Sequence, residues 1–272
     1  MKTAMATTQD LAHRIRSHSL RMVHKAKASH IGSALSIADI LAVLYGQVMC
    51  FDPKDPAYAL RDRFILSKGH ACVAVYSTLA EVGFIPLDDL KTYGDDFSWL
   101  MNHISHKVNG VEFSTGALGH GLSFGVGKAL AAKTRGHPWS TFVLLSDGEM
   151  DEGSNWEALM FASHHKLSKL TAIIDYNKLQ SLDSVSNTLG LEPLVDKLLA
   201  FGCAVQEVDG HDHPQIDHAL THLHTEKPNA IVAHTVKGKG VRFMENRVEW
   251  HYKNPNDEQL ALALAELDLH HA

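Results

Sequence analysis

The stretch 144–158, LLSDGEMDEGSNWEA, crowds Asp147, Glu149, Asp151 and Glu152 into six residues, with Gly148 and Gly153 beside them. Like charges this close repel, so some of them need a counter-charge. The apolar run TFVLL stops at Ser146, just before them. The next such run, TAIID, ends at Asp175 and is followed by Tyr176, Asn177, Lys178 and Leu179. If the two runs are neighbouring strands, Asp147 and Asn177 leave the sheet at the same end. A carboxylate and an amide oxygen are hard ligands that suit Mg²⁺ or Ca²⁺ rather than zinc. Mg²⁺ takes about six oxygens and commonly draws some of them from a phosphate. Gly148, without a Cβ, lets backbone approach such a phosphate, and the following helix aims free N–H groups at it. The chemistry on offer is a divalent cation gripping a diphosphate. Glu149, Asp151 and Glu152 remain, and they suit a subunit interface, where acids share protons or meet a basic group. Taken alone, acid-Gly-acid after a strand is most often a solvated turn. The 30 residues from Asp147 to Asn177, passing through one helix and one strand, set this turn apart. An EF-hand does not fit, because its acids stand at alternate positions before a late Glu.

Strands and helices must alternate to hold these groups. FILS (64–67), TFVLLS (141–146), TAIID (171–175), CAVQEV (203–208) and NAIVAHT (229–235) read as apolar, β-branched strands. Helices are expected at about 154–167, 189–201 and 213–225, and at 71–83, closed by Gly83. SIADILAVLYGQV (36–48) reads as a helix opened by a Ser36–Asp39 capping box. The tail is an amphipathic helix of about 256–270 capped by Asn256. Such alternation with near-continuous apolar strands predicts an α/β fold, a doubly wound, mostly parallel sheet with helices on both faces. No repeat or linker divides the chain, so one domain over 1–272 is expected. In such a sheet, ligands sit beyond the carboxyl ends of the strands, where Asp147 and Asn177 stand.

Composition narrows the partners. The net charge is −6 with no basic stripe, which argues against nucleic acid. No apolar stretch nears the roughly 18 residues of a membrane span. The start of the chain is polar, without a signal peptide's apolar centre. Cys50, Cys72 and Cys203 are too few and too scattered for a disulfide framework, and a cytoplasmic protein is expected. The glycines at 116, 119, 121, 125 and 127 do not follow a strand in the frame of a dinucleotide fingerprint. Twenty histidines are the compositional oddity. His211 and His213, in DGHDHPQID, read as a loop opening the helix at 213.

The segment SDGEMDEGSNWEALMFASHHKLSKLTAIIDYNKLQ resembles the thiamine diphosphate motif, which begins Gly-Asp-Gly and ends near an Asn about thirty residues on. KASHIGSALSIADIL, FILSKGHACVAVYS, GVEFSTGALGHGLSFGVG and VKGKGVRFMENRVEWH are similar to transketolase blocks in the same order. The resemblance runs from about residue 8 to 260 and is nearest to the amino-terminal half of the split, two-gene form. It implies that Asp147 and Asn177 bind Mg²⁺ (or Ca²⁺) by side chains and Leu179 by its carbonyl. It implies that Gly148 and His70 touch the diphosphate, and that Gly116 and Leu118 line the aminopyrimidine. His251 would lie between diphosphate and substrate, and His30 would face the substrate. His103 is carried over from Asn102-His103-Ile104, which stands one residue out of register with the family's Gly-His-Pro. Glu152 matches an acid that couples two active sites across an interface.

The implied activity is that of a transferase, moving a two-carbon ketol unit from a ketose phosphate to an aldose phosphate. Protons at sugar hydroxyls would be handled by His30, His251 and His103, as groups that titrate near neutrality. Ser146 replaces the motif's first glycine, and a small residue there should leave metal binding intact. The resemblance covers only the diphosphate half. A separate carboxy-terminal subunit, supplying the Glu that activates the cofactor's pyrimidine, is expected in an α2β2 heterotetramer. Two other readings keep the fold: a modified or sulfonated sugar, or an acyloin-forming step, as the reaction; or a non-enzymatic scaffold, which Asp147, Asn177, His70 and His251 argue against.

Overall fold

The computed structural model describes residues 7–271. The chain opens with α1 (Thr8–Ala26), capped reciprocally by Thr7 and Asp10. Two short helices follow, α2 (Ile31–Ser36) and α3 (Ala38–Val43), and then a π-helical turn, Leu44–Val48. β1 (Arg63–Leu66) leads into α4 (Cys72–Glu81), and α5 (Gly121–Arg135) into β2 (Thr141–Ser146). Beyond these come α6 (Gly153–His164), β3 (Leu170–Tyr176), α7 (Val185–Thr188), α8 (Leu194–Ala200) and β4 (Ala204–Asp209). α9 (His213–Thr221), β5 (Asn229–His234) and α10 (Asp257–His271) close the chain.

The five strands form one parallel sheet in the order β1-β2-β3-β5-β4. Alternate residues of each strand serve different cores. Phe142, Leu144, Ile173 and Ile231 face the layer of α1–α4 and α9. Val143, Leu145, Ala172 and Val232 face α5, α6 and α8. Burial on both faces is why β1, β2 and β3 read as unbroken apolar runs. β4 lies at the sheet's edge, and its Gln206 and Glu207 are correspondingly less covered.

Three expectations change. The helix expected over 36–48 is broken at Ile37 (φ −102, ψ 1), and no capping box forms. Ser36 Oγ instead donates to Asp175, and the Asp39 carboxylate accepts from Arg16. Tertiary partners outcompete the local cap. Residues 36–45 are buried on every side, as helices packed between layers must be, and only at Gln47 does the segment reach solvent. The helix expected over 189–201 starts at Leu194, because Pro193 cannot stand inside a helix. The expected tail helix does form, with Gln259 N–H donating to Asn256 Oδ1 at 2.8 Å.

α5 lies close on β2. A Cβ on Gly125 would stand 2.4 Å from Val143 Cγ2, whereas one on Gly127 would meet nothing within 4 Å. Gly125→Ala should therefore cost about 1–3 kcal/mol through overpacking. Gly127→Ala, on the same helix, should gain about 0.5–1 kcal/mol from reduced unfolded-chain entropy and better helix propensity. Urea melts of the two variants check the pair, and equal effects would contradict the packing.

Candidate active site

β2 and β3 pair in register, Ser146 opposite Asp175, so the turns after them emerge side by side. Asp147 caps the short 3₁₀ turn Gly148–Asp151 and is 1% exposed. Its carboxylate accepts from the N–H of Gly148 at 2.7 Å and of Lys178 at 2.5 Å. Asn177, also buried, donates from Nδ2 to Asp175 at 3.0 Å, and its Oδ1 accepts from Leu179 N–H at 3.1 Å. The carbonyls of Leu179 and Gln180 each receive the Lys237 ammonium at 3.0 Å. Asp147, Asn177 and Leu179 thus lie on the two adjacent turns, tied together by the Lys178 and Leu179 N–H groups. Burial, and then the neighbouring Asp175, push the Asp147 carboxyl up to about 7. A buried carboxylate held against its own ionisation is what a bound cation would relieve. Among the described residues no three His, Cys, Asp or Glu side chains converge as a self-sufficient metal cage. A cation here would draw on one carboxylate, one amide, one carbonyl and an incoming phosphate, which suits a hard divalent ion.

Four histidines from four segments converge over these strand ends. The His30 ring lies 5.1 Å from His70, 5.9 Å from His103 and 4.9 Å from His251. His30 holds a left-handed backbone (φ 74) at the start of α2, where its N–H donates to the His251 carbonyl at 2.8 Å. His103 joins the cluster despite its unusual neighbours. Gly116 lies against it, since a Cβ there would be 3.6 Å from His103 Cδ2. Leu118, half-buried, follows two residues on. One expectation needs revision: burial pushes all four rings down, and His30 and His251 fall well below neutrality. Burial first, then His103 and Lys237, bring His30 to about 4. Burial, Lys237 and His30 bring His251 to about 3. His70 and His103 are lowered as well, chiefly by burial. An uncharged imidazole, the form that burial favours in all four, can donate at one nitrogen and accept at the other.

The acidic run also divides differently from the expectation. Glu149 does not face outward; it is fully buried, and it accepts from Ser67 Oγ at 2.5 Å and Gly119 N–H at 2.8 Å. Its other oxygen has no partner, and burial raises its pKa. It ties the end of β1 to the loop 115–120, and these hydrogen bonds offset part of the cost of burying it. Asp151 accepts from Gln180 Nε2 at 2.8 Å. Glu152 alone of the three is exposed, at the start of α6.

Three buried charged groups at this edge escaped sequence reasoning as candidates: Lys68, Asp175 and Lys237. The Lys68 ammonium donates to Asp175 Oδ2 at 2.5 Å, with both side chains no more than 1% exposed. Asp175 also accepts from Ser36 Oγ, Asn177 Nδ2 and Thr235 Oγ1. The available signal was the repeated Lys-Gly pair, Lys68-Gly69 and Lys237-Gly238, each just past a strand. Other histidines are absorbed by carboxylates, as in His24–Asp257 and His234–Glu207. No helix among the described residues is long and apolar enough to cross a membrane.

The family profile described as "Transketolase, thiamine diphosphate binding domain" matches residues 7–270. The chain is 42% identical over 254 residues to an apulose-4-phosphate transketolase subunit from Phocaeicola vulgatus, covering 93% of this chain and 90% of that one. It is 39% identical to the 6-deoxy-6-sulfo-D-fructose transketolase subunit SqwG of a Clostridium species, covering 95% and 96%. The solved transketolase of Leishmania mexicana superposes with a TM-score of 0.91 at 32% identity over 97% of this chain. The chain spans 42% of that longer protein.

Proposed function

The chain belongs to the transketolase family, as its thiamine diphosphate-binding domain, and from that premise we propose that it is one subunit of a two-component transketolase. The observation that carries the reading is the meeting of four histidine rings with a buried carboxylate–amide–carbonyl edge. In this reading Asp147, Asn177 and the Leu179 carbonyl hold Mg²⁺ or Ca²⁺. Gly148, His70, Lys68 and Lys237 face the diphosphate, and Gly116 and Leu118 line the aminopyrimidine. When bound, the cofactor supplies the carbon nucleophile that carries a two-carbon ketol unit from a ketose to an aldose. This chain's part is to hold it, exclude water and move protons. His30, His103 and His251, favoured in their uncharged form, donate hydrogen bonds to and accept them from sugar hydroxyls. A companion subunit contributes a Glu toward the pyrimidine, and two copies of each chain assemble in the cytoplasm.

A second reading concerns the donor. Relatives matched over nearly their whole length are named for apulose 4-phosphate and for a sulfonated fructose, which favours a modified sugar over xylulose 5-phosphate. Reconstitution with the companion subunit decides both questions. Calorimetry with thiamine diphosphate and Mg²⁺ should show binding, and donors of each kind with an aldose phosphate acceptor should be ranked by kcat/KM. No uptake of cofactor by the reconstituted pair would refute the reading. In the same preparation Glu152→Gln should weaken assembly or turnover while leaving metal affinity within about twofold, as expected of a surface acid. A loss of metal binding would instead place Glu152 at the cation.

A further inference from the structure

Asp39 is a carboxylate set in an apolar segment, 5% exposed, and it accepts four hydrogen bonds. Arg16 grips both oxygens, Nη1 at 3.0 Å and Nη2 at 2.5 Å. His211 Nδ1 lies 2.7 Å from Oδ2, and His213 Nε2 lies 3.1 Å from Oδ1. Burial opposes ionisation here, but Arg16 and the two imidazoles hold the carboxyl well below its usual range. The network joins α1, α3 and the turn before α9, away from the four-histidine cluster.

The other nitrogen of His211 is also engaged. Val236 N–H donates to its Nε2 at 2.8 Å. A ring nitrogen that accepts a backbone N–H carries no proton, so the proton sits on Nδ1 and is donated to Asp39. The imidazole is thereby held at both ends, with a fixed tautomer. Val236 precedes Lys237, which is 2% exposed and whose ammonium lies on the Leu179 and Gln180 carbonyls, 3.2 Å from His251 Nδ1. On the far side Gly238 N–H donates to the Gly32 carbonyl at 3.0 Å. His211 thus holds the Val236 N–H itself, while Thr235 N–H donates to the Tyr176 carbonyl at 3.3 Å before it and Asn246 N–H to the Lys237 carbonyl at 2.9 Å after it.

We infer that His211, oriented by Asp39 and Arg16, is a positioning residue for the diphosphate site, holding the Val236 peptide so that Lys237 points at the Leu179–Gln180 edge. The inference rests on the proposed cofactor site. None of the three residues touches that edge, so their effect passes through Lys237. A clamp serving only to pack α1, α3 and α9 would lower stability without singling out Lys237.

The test uses the chain with its companion subunit. His211→Ala is compared with His211→Gln, whose Oε1 can accept the Val236 N–H, and both are placed in wild-type and Lys237→Met backgrounds. Hydrogen exchange over residues 235–240 is followed without cofactor, and the thiamine diphosphate dissociation constant is measured at fixed Mg²⁺. His211→Ala should speed exchange at 236–238 and weaken cofactor binding about 10–100-fold, the range for residues that orient a ligating group. His211→Gln should restore most of both. In the Lys237→Met background His211→Ala should add little, since the two act on one contact. Unchanged exchange, or effects of His211→Ala and Lys237→Met that simply add, would overturn the inference. If the wild-type pair takes up no cofactor, the site assignment fails, while the exchange arm still decides whether His211 fixes the Val236 peptide.

Discussion

Asp147→Ala is expected to abolish metal-dependent binding of thiamine diphosphate while leaving the chain folded. In the wild-type pair, cofactor at about 100 times its dissociation constant should stabilise the folded state by about 2.7 kcal/mol. For a chain of this size that is a rise of about 5–10 °C in melting temperature. The variant should show no rise at the same cofactor and Mg²⁺ concentrations. Its metal-free form should melt close to wild type, for a reason found in the electrostatics. The Asp147 carboxyl is raised to about 7 by burial and by Asp175. A raised carboxyl pKa means that the native state prefers the protonated form. Its ionisation therefore costs stability increasingly as pH climbs from the ordinary carboxylate range to about 7, and in full above that. Removing the group at pH 8 relieves that penalty, which offsets the two backbone hydrogen bonds lost at Gly148 and Lys178. Scanning calorimetry with and without cofactor and metal measures both halves. A cofactor-induced rise that survives in Asp147→Ala would remove the cation from this turn.

Lys68→Met should be the most destabilising single change in the site, costing about 3–5 kcal/mol because it strands the Asp175 carboxylate in the interior. The corresponding fall in melting temperature is about 6–20 °C. The dependence on pH gives the effect its signature. Burial alone would raise the Asp175 carboxyl; Lys68, with Ser36 and Thr235, brings it below the usual value. In the native protein the pair therefore adds stability above the unfolded carboxylate range, and that contribution fades as pH falls through the depressed native value. In Lys68→Met only the raising influence of burial survives alongside the hydroxyls, so the carboxyl takes up a proton on mild acidification. The gap between variant and wild type should be widest at pH 8 and narrow toward pH 4. Adding Asp175→Asn to Lys68→Met should recover much of the loss, since a neutral pair needs no counter-charge. Urea melts at pH 5 and pH 8 decide this, and a variant as stable as wild type at pH 8 would show the ion pair to be energetically idle.

The alternation of strands and helices, the parallel sheet and the Asp147–Asn177 pair were legible in the sequence because each is written locally. A strand covered on both faces has to be apolar throughout, and turns leaving neighbouring strands of a parallel sheet come out at the same end. The family resemblance then supplied His30, His70, His103 and His251, which no periodicity could have selected from twenty histidines. Three-dimensional packing decided the rest. Asp39 read as a helix cap, yet its partners include His211, 172 residues away. Glu149 read as an interface acid, yet it points inward to Ser67 and Gly119. Lys68 and Lys237 carry no local mark of burial, yet both are buried. The physical reason is the same for each. A charge that leaves water must find a compensating group, and which group is within reach depends on sheet register and helix placement across the whole chain, not on the residues beside it in sequence.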